Sequence, residues 1–249
     1  MKYLVLIVFL LSTNVSPSVA QKSPPDVSAG RKKVEDAYKF QNKLADSSVT
    51  VADVIQKWSR TERDPDVRKD PDAQAIAFGC EGLLELQRGQ KLRADSLLSQ
   101  AMPRFRWKHS KESFLVTYAE LERQLKHYDR AVRSYQEIAA TMDSIPELWD
   151  ITYYRQSGYA PYAYAIDACY GLEQIASADA DYHKKAVESL SATMDRHPVD
   201  ALGLMALVAL HRLHAISDEQ YKFKLDLLCS RRPELRKVSD LFEKRLVAK

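Results

Sequence analysis

His211 and His214 stand three residues apart in a segment that reads as helix. That spacing turns both imidazoles to one side and can supply two ligands to a metal ion. A zinc centre takes a third protein ligand and, where it is catalytic, an acid nearby. Neither occurs at a diagnostic spacing, so the expectation is no metal and no cofactor. Cys80, Cys169 and Cys229 are odd in number and distant from one another. Each lies in an apolar or small-residue helical context, which predicts buried thiols and no required disulfide framework. The side chains best suited to recognition are aromatic. Six of the thirteen tyrosines fall between 153 and 170, with Trp149 and Arg155 beside them. Tyrosine offers apolar area with a polar handle at low conformational cost. Trp149, Tyr153, Tyr154, Arg155, Tyr159 and Tyr162 are therefore the candidate partner-binding residues, the rings as anchors and Arg155 as a donor to a carboxylate or carbonyl. The alternative is that the rings plug a gap made by an irregular insertion, and both readings remain open for different rings.

The element that would position such residues is clearest in the stretch from Lys111 to Pro146. Its second half places Tyr128, Ala131, Val132, Tyr135, Ile138, Ala139 and Met142 at helical spacing, so one face is apolar and must be covered. The run from Phe114 to Lys126 is the natural cover, which predicts a helical hairpin. Ser144 to Ala160 then interrupts the rhythm, and the helix from Pro161 to about Ala176 follows.

This hairpin resembles a tetratricopeptide repeat, the 34-residue helix-turn-helix unit of protein-binding solenoids. Ala119 takes the small position where the two helices cross, Leu125 and Tyr128 flank the turn, and Ala131 and Tyr135 are the small and large residues of the second helix. Leu115 stands at the signature tryptophan position, and Glu122 where the family has an aromatic residue. Looser copies carry Ala94 and Ala186 in place of Ala131, and a fourth has Tyr221 where alanine is expected. In the copy around Ala186 the preceding turn, Ala176 to Asp181, reads as about three residues too long for the family. The resemblance spans roughly residues 72 to 233. It implies a concave groove lined by the first helix of each pair, with the tyrosine-rich insertion at its edge.

The ends and connectors read from composition. Residues 1–20 have one early lysine, an apolar run from Tyr3 to Leu11 and the close Ser18-Val19-Ala20, the layout of a secretory signal cleaved before Gln21. Nine apolar residues are too few to span a bilayer, which takes about 20. Residues 21–30 read as a flexible leader and 31–249 as the repeat domain. No cysteine follows the cleavage site, so no bacterial lipid anchor is expected. Asn42, the sole asparagine after residue 20, forms no glycosylation sequon, which leans towards a bacterial envelope, so the expected location is periplasmic or secreted. Helices are predicted from Arg31 to Ala45 and from Thr50 to Arg63, the second with Thr50 and Asp53 as a cap pair. Asp64 to Pro71 reads as a charged connector, with Asp70 capping a helix that starts at Pro71. Pro103 to His109 alternates basic and aromatic residues and reads as a loop whose rings tuck under helices. Ala201 to Leu210 is apolar on every side and is the expected core helix. Ser217 to Gln220 is a capping box, and Pro233 to Lys249 a closing helix. The net charge is +3 over 249 residues, too near neutrality to imply a nucleic-acid partner.

The expected fold is all-α, a right-handed α-solenoid of antiparallel helix pairs with a C-terminal capping helix. The expected function is that of a non-enzymatic, exported scaffold whose groove holds a peptide or protein partner, with no membrane span. The envelope-assembly proteins of bacterial outer membranes, also built from such repeats, are similar. The alternative is a cell-wall glycan-acting enzyme: Gly203-Leu204-Met205 resembles a fragment of lytic transglycosylases, although the glutamate-serine pair those enzymes carry upstream is missing here.

Overall fold

The computed structural model describes residues 28–106, 108–141 and 160–244; for residues 108–110, 113, 160–163 and 240–244 it describes the backbone alone. Twelve α-helices and one 3-10 turn make up the described residues, which contain no strand. The chain divides into two compact units, the first ending at Phe114 and the second beginning at Leu115.

The first unit holds α1 (Ala29–Asn42), α2 (Val51–Arg63), α3 (Pro65–Lys69), α4 (Pro71–Gln87), α5 (Lys91–Ala101), the 3-10 turn Met102–Arg104 and the start of α6 (Lys108–Gln124). The starts of α1 to α4 are fixed by side chains that accept the N–H groups a first turn leaves over, whereas α5 has no side-chain cap. Ser28 caps α1, and Thr50 with Asp53 closes a reciprocal capping box on α2. Asp64 and Asp70 cap α3 and α4, each followed by a proline at the first helical position, where no donor is required. The expected connector at 64–71 thus contains a turn of helix, with Val67 fully buried. Gly89 turns the chain between α4 and α5 at φ +77°, a left-handed conformation that costs glycine little. In the core Trp58 is fully buried, and its indole N–H donates to Gln41 Oε1 at 2.6 Å, so α2 is pinned to α1 without leaving a polar atom unpaired. The segment from Pro103 to His109, expected as a loop, is one only in part: Pro103 and Arg104 belong to the 3-10 turn, Lys108 and His109 to α6, and Trp107 lies outside the described residues. Phe105 stacks on buried Phe114 at 5.4 Å, while Arg104 lies over the Phe78 ring and donates to Gln74.

The second unit holds the rest of α6, then α7 (Tyr128–Thr141), α8 (Ala160–Ala178), α9 (Ala180–Arg196), α10 (Ala201–Arg212), α11 (Asp218–Arg231) and α12 (Leu235–Lys244). Contacts radiate from α8, which packs on α7, α9 and α10, and from α10, which also meets α11 and α12. Ten consecutive residues of α10, Ala201 to Leu210, are buried, as expected of a run apolar on every side. Ser217 and Gln220 form the predicted capping box of α11. The turn before α9 is shorter than expected. Helix α8 continues through Ala178, and only Asp179 separates it from α9 while capping it.

Small residues set the spacing within the second unit. A methyl group on Gly171 would lie 2.2 Å from the Tyr135 ring, and one on Gly203 would lie 1.7 Å from the His197 carbonyl oxygen. Both helices therefore approach their neighbours more closely than any side chain permits. Gly203, which carried the likeness to a transglycosylase fragment, has this packing reason to be glycine.

Candidate functional site

Ala94 on α5, Ala131 on α7 and Ala186 on α9 have no exposed surface, and neither has Ala119 on α6. These four small residues of the sequence pattern are thus core positions. Tyr135, the large partner, is buried against Gly171, and its hydroxyl donates to Glu120 Oε2 at 3.2 Å. Burial, then the Glu120 carboxylate, pushes its phenol well up, so it is a donor at any physiological pH. Tyr221, standing where alanine is expected, is buried by stacking on His211 with ring centroids 4.1 Å apart.

Glu122 on α6 is a fully buried carboxylate. Arg130 donates to Glu122 Oε2 at 2.8 Å and His127 Nδ1 meets the same oxygen at 3.0 Å. Helices α6 and α7 are thereby tied by charge beside their turn. A similar clasp joins α8 to α10: Arg212 donates through two nitrogens to the two oxygens of Glu173, at 2.8 and 2.5 Å.

Several of the described titratable residues are engaged in structure. His211 Nε2 meets Asp218 Oδ1 at 2.9 Å, and its ring face is covered by Tyr221, while His214 follows in a left-handed turn at φ +53°. Asp200 Oδ1 accepts the N–H groups of Leu202 and Gly203, and Oδ2 meets His197 Nδ1 at 2.9 Å, both side chains being buried. Cys169 lies close enough to feel Asp200, yet burial first and the Asp200 charge second push its thiol up to about 12. It is therefore a protonated thiol with no nucleophilic character at neutral pH. Burial likewise pushes the Cys80 thiol up to about 12. All three cysteines are buried and free, as their contexts predicted.

Of the candidate partner-binding residues, Trp149, Tyr153, Tyr154, Arg155 and Tyr159 lie outside the described residues, and Tyr162 is placed on the first turn of α8 by its backbone alone. Of the other tyrosines in that cluster, Tyr164 is buried and Tyr170 half-buried, so at least part of it is core.

The first unit carries a surface concavity that composition did not signal. A cleft of about 440 Å³ runs between α1 and α2. From α1 and its C-cap it is lined by Asp36, Lys39, Phe40 and Lys43, and from α2 by Asp53, Gln56, Lys57 and Arg60. Each set repeats at i, i+3, i+4 and i+7, the spacing of one helix face, so two polar faces meet along a shared trough. The lining has four cations, two carboxylates, one amide and one ring. It has no buried acid or nucleophile, and what it can offer is recognition through charge. No known protein family, curated protein or solved structure matches this chain.

Proposed function

We propose that this protein is an exported, non-enzymatic scaffold that holds a peptide or protein partner, cleaved before Gln21 and acting in the periplasm or outside the cell. Its helix pairs stack as a right-handed solenoid of tetratricopeptide type, closed at the C-terminus by α12. The partner lies along a concave face edged by Trp149, Tyr153, Tyr154, Arg155, Tyr159 and Tyr162. The observation that carries this reading is the recurrence of one buried small residue: Ala94, Ala131 and Ala186 are each without exposed surface, on the second helix of a sequence-adjacent pair. Repeating a close crossing is how such stacks present an extended surface. The charge clasps and protonated thiols also favour binding over chemistry, because Glu173, Arg212, His197, Asp200, Cys80 and Cys169 are held in structural contacts.

Cross-linking in the native envelope compartment, followed by purification and mass spectrometry, tests the proposal. The expected result is a defined protein partner cross-linked through residues 149–162, and no soluble fragments from cell-wall material incubated with the purified chain. Fragment release would make the protein a glycan-acting enzyme and overturn the scaffold reading. N-terminal sequencing of the exported form should begin at Gln21, and a start at Met1 would remove the secretory part of the proposal.

A further inference from the structure

We propose that the cleft between α1 and α2 is a docking site for an acidic peptide segment of a partner protein. This goes beyond the groove-edge reading above, because it places a second recognition surface on the first helix pair and stands or falls by different residues.

Charge carries the argument. Four cations and two carboxylates line the cleft, a local excess of two in a chain whose net charge is only +3. Both carboxylates are already engaged. Asp36 lies 3.6 Å from Lys39, and Asp53 accepts the Thr50 N–H at 2.9 Å and its hydroxyl at 2.7 Å to close the α2 cap. Lys43 extends over the Phe40 ring, 5.8 Å from its centroid, and feels the neighbouring Asp46, which is itself bonded to Ser48. The Lys57 ammonium and Arg60 guanidinium, one turn apart on α2, make no ion pair among the described residues. An arriving carboxylate would therefore meet Lys57 and Arg60 without displacing an ion-pair partner, and Arg60 can take it through two nitrogens.

Shape and chemistry select a peptide over other polyanions. Each lining stripe spans two helical turns, about 10 Å, the length of about three extended residues. The half-buried Phe40 ring and the lysine stems provide apolar floor between the charges, which suits acidic side chains alternating with an apolar one. The Gln56 amide can donate to a peptide carbonyl and accept from its N–H. A phosphate backbone would leave Phe40 and Gln56 without a role.

The test is fluorescence anisotropy on the full chain at low ionic strength, with a labelled hexapeptide of alternating glutamate and leucine. Its glutamine counterpart and a short single-stranded oligonucleotide serve as comparison probes. The expected result is saturable binding of the acidic peptide, weakened by salt, with the glutamine peptide and the Lys57→Gln/Arg60→Gln double variant each at least about tenfold weaker. Asp36→Asn, which removes the repelling carboxylate, should tighten binding about threefold, an increase that misfolding could not produce. Absence of saturable binding, equal affinity for the glutamine peptide, unchanged binding by the double variant, or an oligonucleotide bound as tightly as the acidic peptide would each overturn the proposal. Because residues 149–162 are untouched, these outcomes are separate from failure of the groove-edge reading.

Discussion

Helices α2 and α10 are nearly equal in length, 13 and 12 residues, yet they meet solvent in opposite ways. On α2 only Val54, Ile55, Trp58 and Thr61 are buried, and Asp53, Gln56 and Arg60 lie in the open cleft wall. On α10 ten consecutive residues are covered, because α8, α9, α11 and α12 surround it. A helix enclosed by neighbours contributes stability and cannot present a surface, whereas a helix at the edge of its unit keeps a polar face free for recognition. Substitutions on α10 should therefore change melting, and those on the α2 polar face should change binding alone.

The largest effect is expected on α10. Leu204 and Leu207 are fully buried, so Leu204→Ala or Leu207→Ala should cost about 2 to 5 kcal/mol in denaturant unfolding. A loss below about 1 kcal/mol would mean that α10 is not the centre of its unit. Next is Ala131 on α7, which has no exposed surface. Ala131→Phe has no space to occupy and should cost about 1 to 3 kcal/mol, read as a lower melting temperature. An unchanged melting temperature would show that the repeat register is misassigned. Removing the guanidinium in Arg212→Ala strands the Glu173 carboxylate and should cost about 1 to 3 kcal/mol, with Glu173→Gln/Arg212→Met recovering part of it. At the α2 end, Gln56→Ala should stay within about 0.5 kcal/mol of the parent, and a larger loss would erase the contrast between the helices.

The smallest effect is a dependence on pH. Asp129 accepts from Lys185 at 2.8 Å and from the Tyr182 hydroxyl at 3.1 Å, linking α7 to α9. The hydrogen bond from Lys185, then that from Tyr182, holds its carboxyl below the ordinary carboxylate range. A depressed folded-state value means that the contribution is complete above the unfolded value of about 3.9 and is lost as pH falls through the folded one. Asp129→Asn should therefore flatten the acid limb of the stability profile and leave its shape near neutrality unchanged. An acid limb identical to that of the parent would remove Asp129 from the account.

Much of the fold is legible from local chemistry, because caps and apolar periods act within a few residues. Thr50 with Asp53, Asp70 before Pro71 and Ser217 with Gln220 each mark a helix start that the structure repeats. The apolar run of α10 likewise requires cover wherever it lies. Two boundaries escape this reading. The one-turn α3 sits between prolines that resemble a connector, and the end of α8, Ala176-Ser177-Ala178, is small enough to read as loop although it continues the helix. The cleft escapes for a different reason. Polar residues at helical spacing look like a solvated face, and nothing within either segment says that the α1 and α2 stripes lie against each other. Phe40, a single ring among lysines on the polar side of α1, is the one signal that could have drawn attention to it.

The central claim is that the tyrosine-bearing segment holds a partner at the edge of a repeat scaffold. The most direct measurement is partner capture by the Tyr154→Ala/Tyr159→Ala/Tyr162→Ala variant, read beside its melting curve. The account predicts capture reduced about tenfold or more, as expected for removal of aromatic anchors, with the melting temperature nearly unchanged. A sharply lowered melting temperature with normal capture by the folded fraction would show that these rings are core and that the partner binds elsewhere.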